Sequence, residues 1–132
     1  MKAVAARLSG GLMVESRVKV DDNSGAKLIR VIAMEGYRGR RNRQPNISVG
    51  DIFLGSVVAG KVDMRKKVVR AVLIRQRKEY RRFSGERIKF EDNACVLITD
   101  KNEPQASEIK GVVAKEVAEK FPKVATIAKN VV

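Results

Sequence analysis

Histidine is absent from all 132 residues, and cysteine occurs once. Without histidine the usual general base is missing, so Ser24 and Ser56 have no ordinary route to activation as nucleophiles. One cysteine allows no internal disulfide, and no metal-ligand spacing stands anywhere in the chain. Cys95 lies in the apolar run Ala94-Cys95-Val96-Leu97-Ile98 and reads as a small buried hydrophobe, as expected in a cytosolic protein. No glycine-rich loop matches a nucleotide-binding pattern. The paired acids Asp21-Asp22 and Glu91-Asp92 sit in turn-like contexts rather than converging on a metal. Aromatics are scarce, four Phe and two Tyr, too thin a supply for a broad base-stacking platform. No apolar run approaches the roughly 20 residues of a membrane span. Catalysis, a resident cofactor, a small-molecule substrate and membrane insertion are therefore not expected.

Positive charge is in excess. Lys and Arg number 28 against 15 acids, a net charge of +13. Such an imbalance opposes compaction by self-repulsion unless a polyanion neutralises it. The excess is also uneven. Tyr37-Arg38-Gly39-Arg40-Arg41-Asn42-Arg43 carries no acid, and residues 61–89 are crowded with Lys and Arg, whereas residues 100–132 are nearly balanced. Arginine-rich clusters at the ends of predicted strands favour nucleic acid over a merely solvated face.

Hydrophobic patterning predicts strands over the first hundred residues. Met13 to Val20 alternates with period two, and Asp21-Asp22-Asn23-Ser24-Gly25 has turn chemistry. Further strands are expected at Lys27–Met34, Ile52–Val58, Lys67–Arg77 and Ala94–Thr99. Strands without intervening helices indicate an antiparallel barrel or sandwich. Beyond Gly111, Val113, Val117 and Phe121 recur every four residues, with Lys115, Glu116, Glu119 and Lys120 opposite, which predicts an amphipathic helix. Pro122 ends it and can start a second short helix with Val124, Ile127 and Ala128 as its apolar stripe. The length suits a single domain, 1–132, with a β-core at about 12–100 and a helical segment at about 105–130.

Residues 79–90 read as a hairpin closed by a two-residue loop, Ser84-Gly85. Counting outward, Arg82 faces Arg87 and Tyr80 faces Lys89, with all four on one face. Like charges opposed across a ladder are unfavourable, and a phosphate between them reverses the cost. Tyr80 is equally suited to stacking on an unpaired base or covering the Lys89 stem.

An ordered signature runs through this region: Ala71-Val72-Leu73-Ile74, nine residues, Ser84-Gly85, four residues, Phe90, two residues, Asn93, two residues, Val96-Leu97. With Asp22-Asn23-Ser24-Gly25-Ala26 and Val49-Gly50-Asp51, it resembles the universal family of large-subunit ribosomal protein fourteen, over about residues 12–128. The leader before Leu12 and the basic stretch Tyr37 to Asn46 look archaeal or eukaryotic rather than bacterial, and the family resemblance is to the archaeal type. The resemblance implies a five-stranded β-barrel with short C-terminal α-helices, cytoplasmic and ribosome-bound. It implies contact with large-subunit ribosomal RNA, a bridge to small-subunit ribosomal RNA, neighbouring ribosomal proteins, and docking of the anti-association initiation factor six.

The expected RNA contacts are Arg38, Arg40, Arg41 and Arg43 in one group, and Lys66, Arg75, Arg77, Lys78, Tyr80, Arg82, Arg87 and Lys89 in the other. The charge-balanced C-terminal segment, with Ser107, Lys115, Lys120 and Lys123, is the expected protein-partner face. A free single-strand-binding barrel and a carboxylate-based nuclease are the competing readings.

Overall fold

The structure is a computed structural model that describes residues 3–132. In chain order its elements are β1 (Ala6–Arg7), β2 (Arg17–Val20), β3 (Ala26–Met34), β4 (Ile52–Gly60), β5 (Val68–Arg75), β6 (Tyr80–Arg82) and β7 (Arg87–Ile88). There follow β8 (Ala94–Ile98), β9 (Ile109–Val113), α1 (Lys115–Lys120), α2 (Pro122–Ile127) and β10 (Ala128–Val131).

Strands β2, β3, β4, β5 and β8 close a barrel in that order. The ladders joining β2 to β3, β3 to β4, β4 to β5 and β5 to β8 are antiparallel, and the closing ladder between β8 and β2 is parallel. Five strands cannot alternate direction around a closed ring, so one parallel seam is unavoidable. The predicted first strand is shorter than expected. Glu15 adopts a left-handed φ of 75°, which turns the chain before β2 begins.

The apolar runs of β5 and β8 follow from burial on both faces. Ala71, Leu73, Cys95 and Leu97 fill the barrel with Val18, Ile29, Val31, Phe53 and Val57. Their neighbours Val72, Ile74, Val96 and Ile98 point outward into a second core with Ile109, Val113, Val117, Phe121 and Val124. Cys95 is thus the buried hydrophobe expected, and burial pushes its thiol pKa well up. The C-terminal stripe docks as its periodicity predicts, with Pro122 at the first turn of α2. It is not all helix: β9 precedes α1, and β10 returns parallel beside β9.

A buried ionic cluster joins the barrel to this C-terminal layer. Arg75 Nη1 donates to Asp21 Oδ2 at 2.6 Å and to the Val112 carbonyl at 2.8 Å. Its Nε and Nη2 donate to Asp92 at 2.9 and 3.0 Å. The turn that follows β2, strands β5 and β9 and the approach to β8 therefore meet on one guanidinium. Gly111 makes room for it: a Cβ there would lie 2.0 Å from Asp21 Oδ2 and 2.2 Å from Arg75 Nη1.

Candidate nucleic-acid interface

Strand direction decides which connections share an end of the barrel. Strand β3 ends where β4 begins, and Ile52 of β4 pairs with Val72 near the end of β5. Arg75, closing β5, pairs with Ala94, opening β8. Connections 35–51 and 76–93 and the chain before β2 therefore emerge together. Connections 21–25, 61–67 and 99–108 emerge at the opposite end.

Gln76 stitches the first end together. It is fully buried; its Oε1 accepts from the Val49 N–H at 3.1 Å, and its Nε2 donates to the Ser9 and Lys78 carbonyls at 2.7 and 2.9 Å. One side chain thus ties the leader, the 35–51 connection and the hairpin base. Asn93 Oδ1 accepts from the Arg77 N–H at 2.9 Å and fixes the adjoining backbone. Neither residue is among the expected site residues, because an amide beside a strand end carries no distinctive sequence signal.

Arg38, Arg40, Arg41, Arg43, Arg77, Lys78, Arg87 and Lys89 are all exposed at this end. Among the described residues only Arg87 of these has a carboxylate partner, Glu79 at 2.9 Å. Tyr37 Oη donates to the Arg43 carbonyl at 3.1 Å, and Asn42 takes a left-handed φ of 61°, so the 37–43 loop has a defined turn. Lys66 is exposed but belongs to connection 61–67 at the opposite end, away from the group it was expected to join.

The hairpin register differs from expectation by one residue. Arg81 pairs with Arg87 and Tyr80 with Ile88. The Arg82 N–H donates to the Glu86 carbonyl at 2.8 Å, leaving the three-residue loop Phe83-Ser84-Gly85, closed by Gly85 at φ 93°. The slip turns Arg82 to the face opposite Arg87. Tyr80, 1% exposed, donates through Oη to Glu116 Oε2 at 2.7 Å, and Arg82 Nε donates to Glu116 Oε1 at 2.8 Å. Burial and the Glu116 carboxylate hold the Tyr80 hydroxyl pKa well above its usual range. Glu116 was expected on the solvent face of its helix; it is 3% exposed and anchors the hairpin. Arg75, Tyr80 and Arg82, expected among the RNA contacts, thus have their polar groups engaged on carboxylates of the fold.

The expected partner-face residues do not form one patch. Lys120 and Lys123 line one depression of about 550 Å³ with Lys101, Glu103, Phe121 and Pro122. Lys123 pairs with Glu103, and Lys120 Nζ lies 5.9 Å from the Phe121 ring centroid. Lys115 sits one helical turn before Glu119, 4.0 Å from it. Ser107 hydrogen-bonds Asn23 in the β2–β3 turn at 3.0 Å.

Comparison with known proteins decides the family. The profile described as ribosomal protein L14p/L23e matches residues 11–132. The chain belongs to this ribosomal protein family. It is 52% identical over the full length of both chains to the large ribosomal subunit protein uL14 of Methanocella arvoryzae. It is 46% identical, again over both full lengths, to that of Methanoregula boonei. The Thermofilum pendens protein of the same name is 50% identical over 95% of this chain and 89% of its own. The archaeal type expected from the leader and the basic stretch is thus supported, and membership makes the chain a structural constituent of the ribosome. Within the family's signature, Gly85 closes the hairpin loop, Asn93 fixes the Arg77 backbone, and Ala71 to Ile74 bury both faces of β5.

Proposed function

We propose that the chain is a non-catalytic constituent of the large ribosomal subunit that grips ribosomal RNA with the barrel end built from 35–51 and 76–93. The observation that carries this is topological. Two basic segments far apart in sequence emerge at the same end, and Arg38, Arg40, Arg41, Arg43, Arg77, Lys78 and Lys89 have no carboxylate partner there among the described residues. Phosphate groups would supply the missing counter-charge. Sparse aromatics favour backbone and shape recognition over base reading. The barrel and C-terminal layer would act as one domain, joined through Arg75.

A variant with Arg38, Arg40, Arg41 and Arg43 all changed to Gln tests the reading. Its affinity for large-subunit ribosomal RNA should fall, and the salt slope should flatten by roughly 0.7–0.9 for each phosphate no longer neutralised. An unchanged slope would remove this loop from the RNA face.

The same reading assigns the C-terminal layer to partners outside the main RNA grip: a bridge to small-subunit ribosomal RNA and docking of the anti-association initiation factor six. Its support is the nearly balanced charge of residues 100–132 and the depression beside Lys120 and Lys123. Lys115→Glu combined with Lys120→Glu should weaken factor binding to large subunits. Undiminished binding would exclude α1 from the docking surface.

A further inference from the structure

The register that turns Arg82 inward brings three other arginines into line. Arg7 of β1 pairs with Arg81 of β6, which in turn pairs with Arg87 of β7. Directly opposed residues of antiparallel strands project from the same face, so these guanidinium groups form one row across the three-stranded sheet. All three are exposed, and Ala6, Tyr80, Arg82 and Ile88 occupy the other, covered face. Only Arg87 has an acidic partner among the described residues. Cross-strand like charges destabilise a sheet, and this one is too small to absorb the cost easily. The arrangement is that of a site awaiting an anion.

Phe83 supplies the second feature. It stands at the loop of the hairpin, 92% exposed, the most exposed large apolar side chain of the described residues. Val4, Ala6, Arg7, Arg81, Arg82 and Phe83 line a shallow depression of about 500 Å³. Arg81 reaches towards the loop, its Nη2 lying 3.9 Å from where a Cβ of Gly85 would be. The support beneath is rigid, because Tyr80 and Arg82 are both held by Glu116. An aromatic ring on a fixed stem, beside unpaired guanidinium groups, has the chemistry to take a base and its phosphate together.

We infer that the outer face of the β1–β6–β7 sheet is a nucleotide seat, in which Arg7, Arg81 and Arg87 hold the backbone phosphates of a single-stranded ribosomal RNA segment and Phe83 stacks on its unpaired base. This deepens the RNA-binding reading and rests on it. It adds Arg7, Arg81 and Phe83 to the RNA-facing residues, and it confines base stacking to one ring.

The test is binding of the full chain to large-subunit ribosomal RNA across a salt series. Phe83→Leu keeps an apolar side chain but removes the ring, and Phe83→Tyr keeps the ring. Phe83→Leu should weaken binding about tenfold with the salt slope unchanged, because stacking is uncharged. Phe83→Tyr should bind as the native chain does. Arg7→Gln with Arg81→Gln should flatten the slope by roughly 0.7–0.9 per phosphate released. Native affinity in Phe83→Leu overturns the stacking role, and a native slope in the arginine pair overturns the phosphate seat. If those variants bind normally while the Arg38, Arg40, Arg41 and Arg43 variant does not, the seat fails and the broader RNA reading stands. If the native chain shows no salt-dependent binding, the broader reading fails.

Discussion

Arg75 and Arg77 are two residues apart, and the molecule uses them in opposite ways. Arg75 is 6% exposed and meets two carboxylates and a carbonyl, so its charge is satisfied inside the fold. Arg77 is exposed and has no acidic partner among the described residues. The contrast recurs across the hairpin sheet: Arg82 faces inward onto Glu116, while Arg81, the next residue back, faces out beside Arg7 and Arg87. A count of basic residues cannot tell these apart. What separates them is side-chain direction, which alternates along a strand and is set by register.

The inward arginines should matter for folding and the outward ones for binding. Arg75→Ala would leave Asp21, which is 4% exposed, with only the exposed Lys19 as a cation, 3.6 Å from its Oδ1. Breaking such a buried pair from one side costs about 3–5 kcal/mol. Glu116→Ala should be of similar size, since it leaves Tyr80 Oη without its acceptor and the Arg82 guanidinium without its carboxylate, although the Val132 carbonyl remains. Arg77→Ala or Arg40→Ala should change stability by no more than about 0.5 kcal/mol. Urea unfolding of the four variants measures this. An Arg75 variant as stable as the native chain would erase the distinction between the two classes.

Much of the fold is legible in the sequence because its signals are local. Alternation in Arg17 to Val20, the β-branched run of β5 and the four-residue recurrence of Val113, Val117 and Phe121 each report a nearby burial pattern. The hairpin register is not legible in this way. Phe83 looks like a core residue, which favours a two-residue loop, whereas it is 92% exposed in a three-residue one. Helical spacing alone gives Glu116 to solvent. Its burial depends on Tyr80 and Arg82, more than thirty residues earlier in the chain. Arg75 has no local signal either, since Asp21 lies 54 residues away in sequence. The basic loop 37–43 is legible as a charge cluster. Its meeting with residues 77–89 at one barrel end requires the topology.

Acid should also distinguish the inward class, by a smaller margin. Hydrogen bonds from Arg75 hold the Asp92 carboxyl below its ordinary value of 3.8, against an opposing push from burial. Hydrogen bonds from Arg70 do the same for Glu35, whose ordinary value is 4.5. Both pKa values are lower in the folded state than in the unfolded chain. The stability they contribute is therefore complete above the ordinary values and is lost as pH falls through the lowered ones. Each carboxylate is more than a third exposed, 38% for Asp92 and 44% for Glu35, so solvent screens part of the effect. Unfolding free energy measured from pH 6 downwards should decline below about pH 4.5, where these carboxylates begin to protonate. Asp92→Asn should be less stable at pH 6 and decline less steeply. The variant lacking Arg38, Arg40, Arg41 and Arg43 should keep the native steepness, because those guanidinium groups touch no carboxylate whose protonation the folded state resists. An Asp92→Asn profile parallel to the native one would mean that the Arg75 cluster is held by Asp21 and the Val112 carbonyl alone.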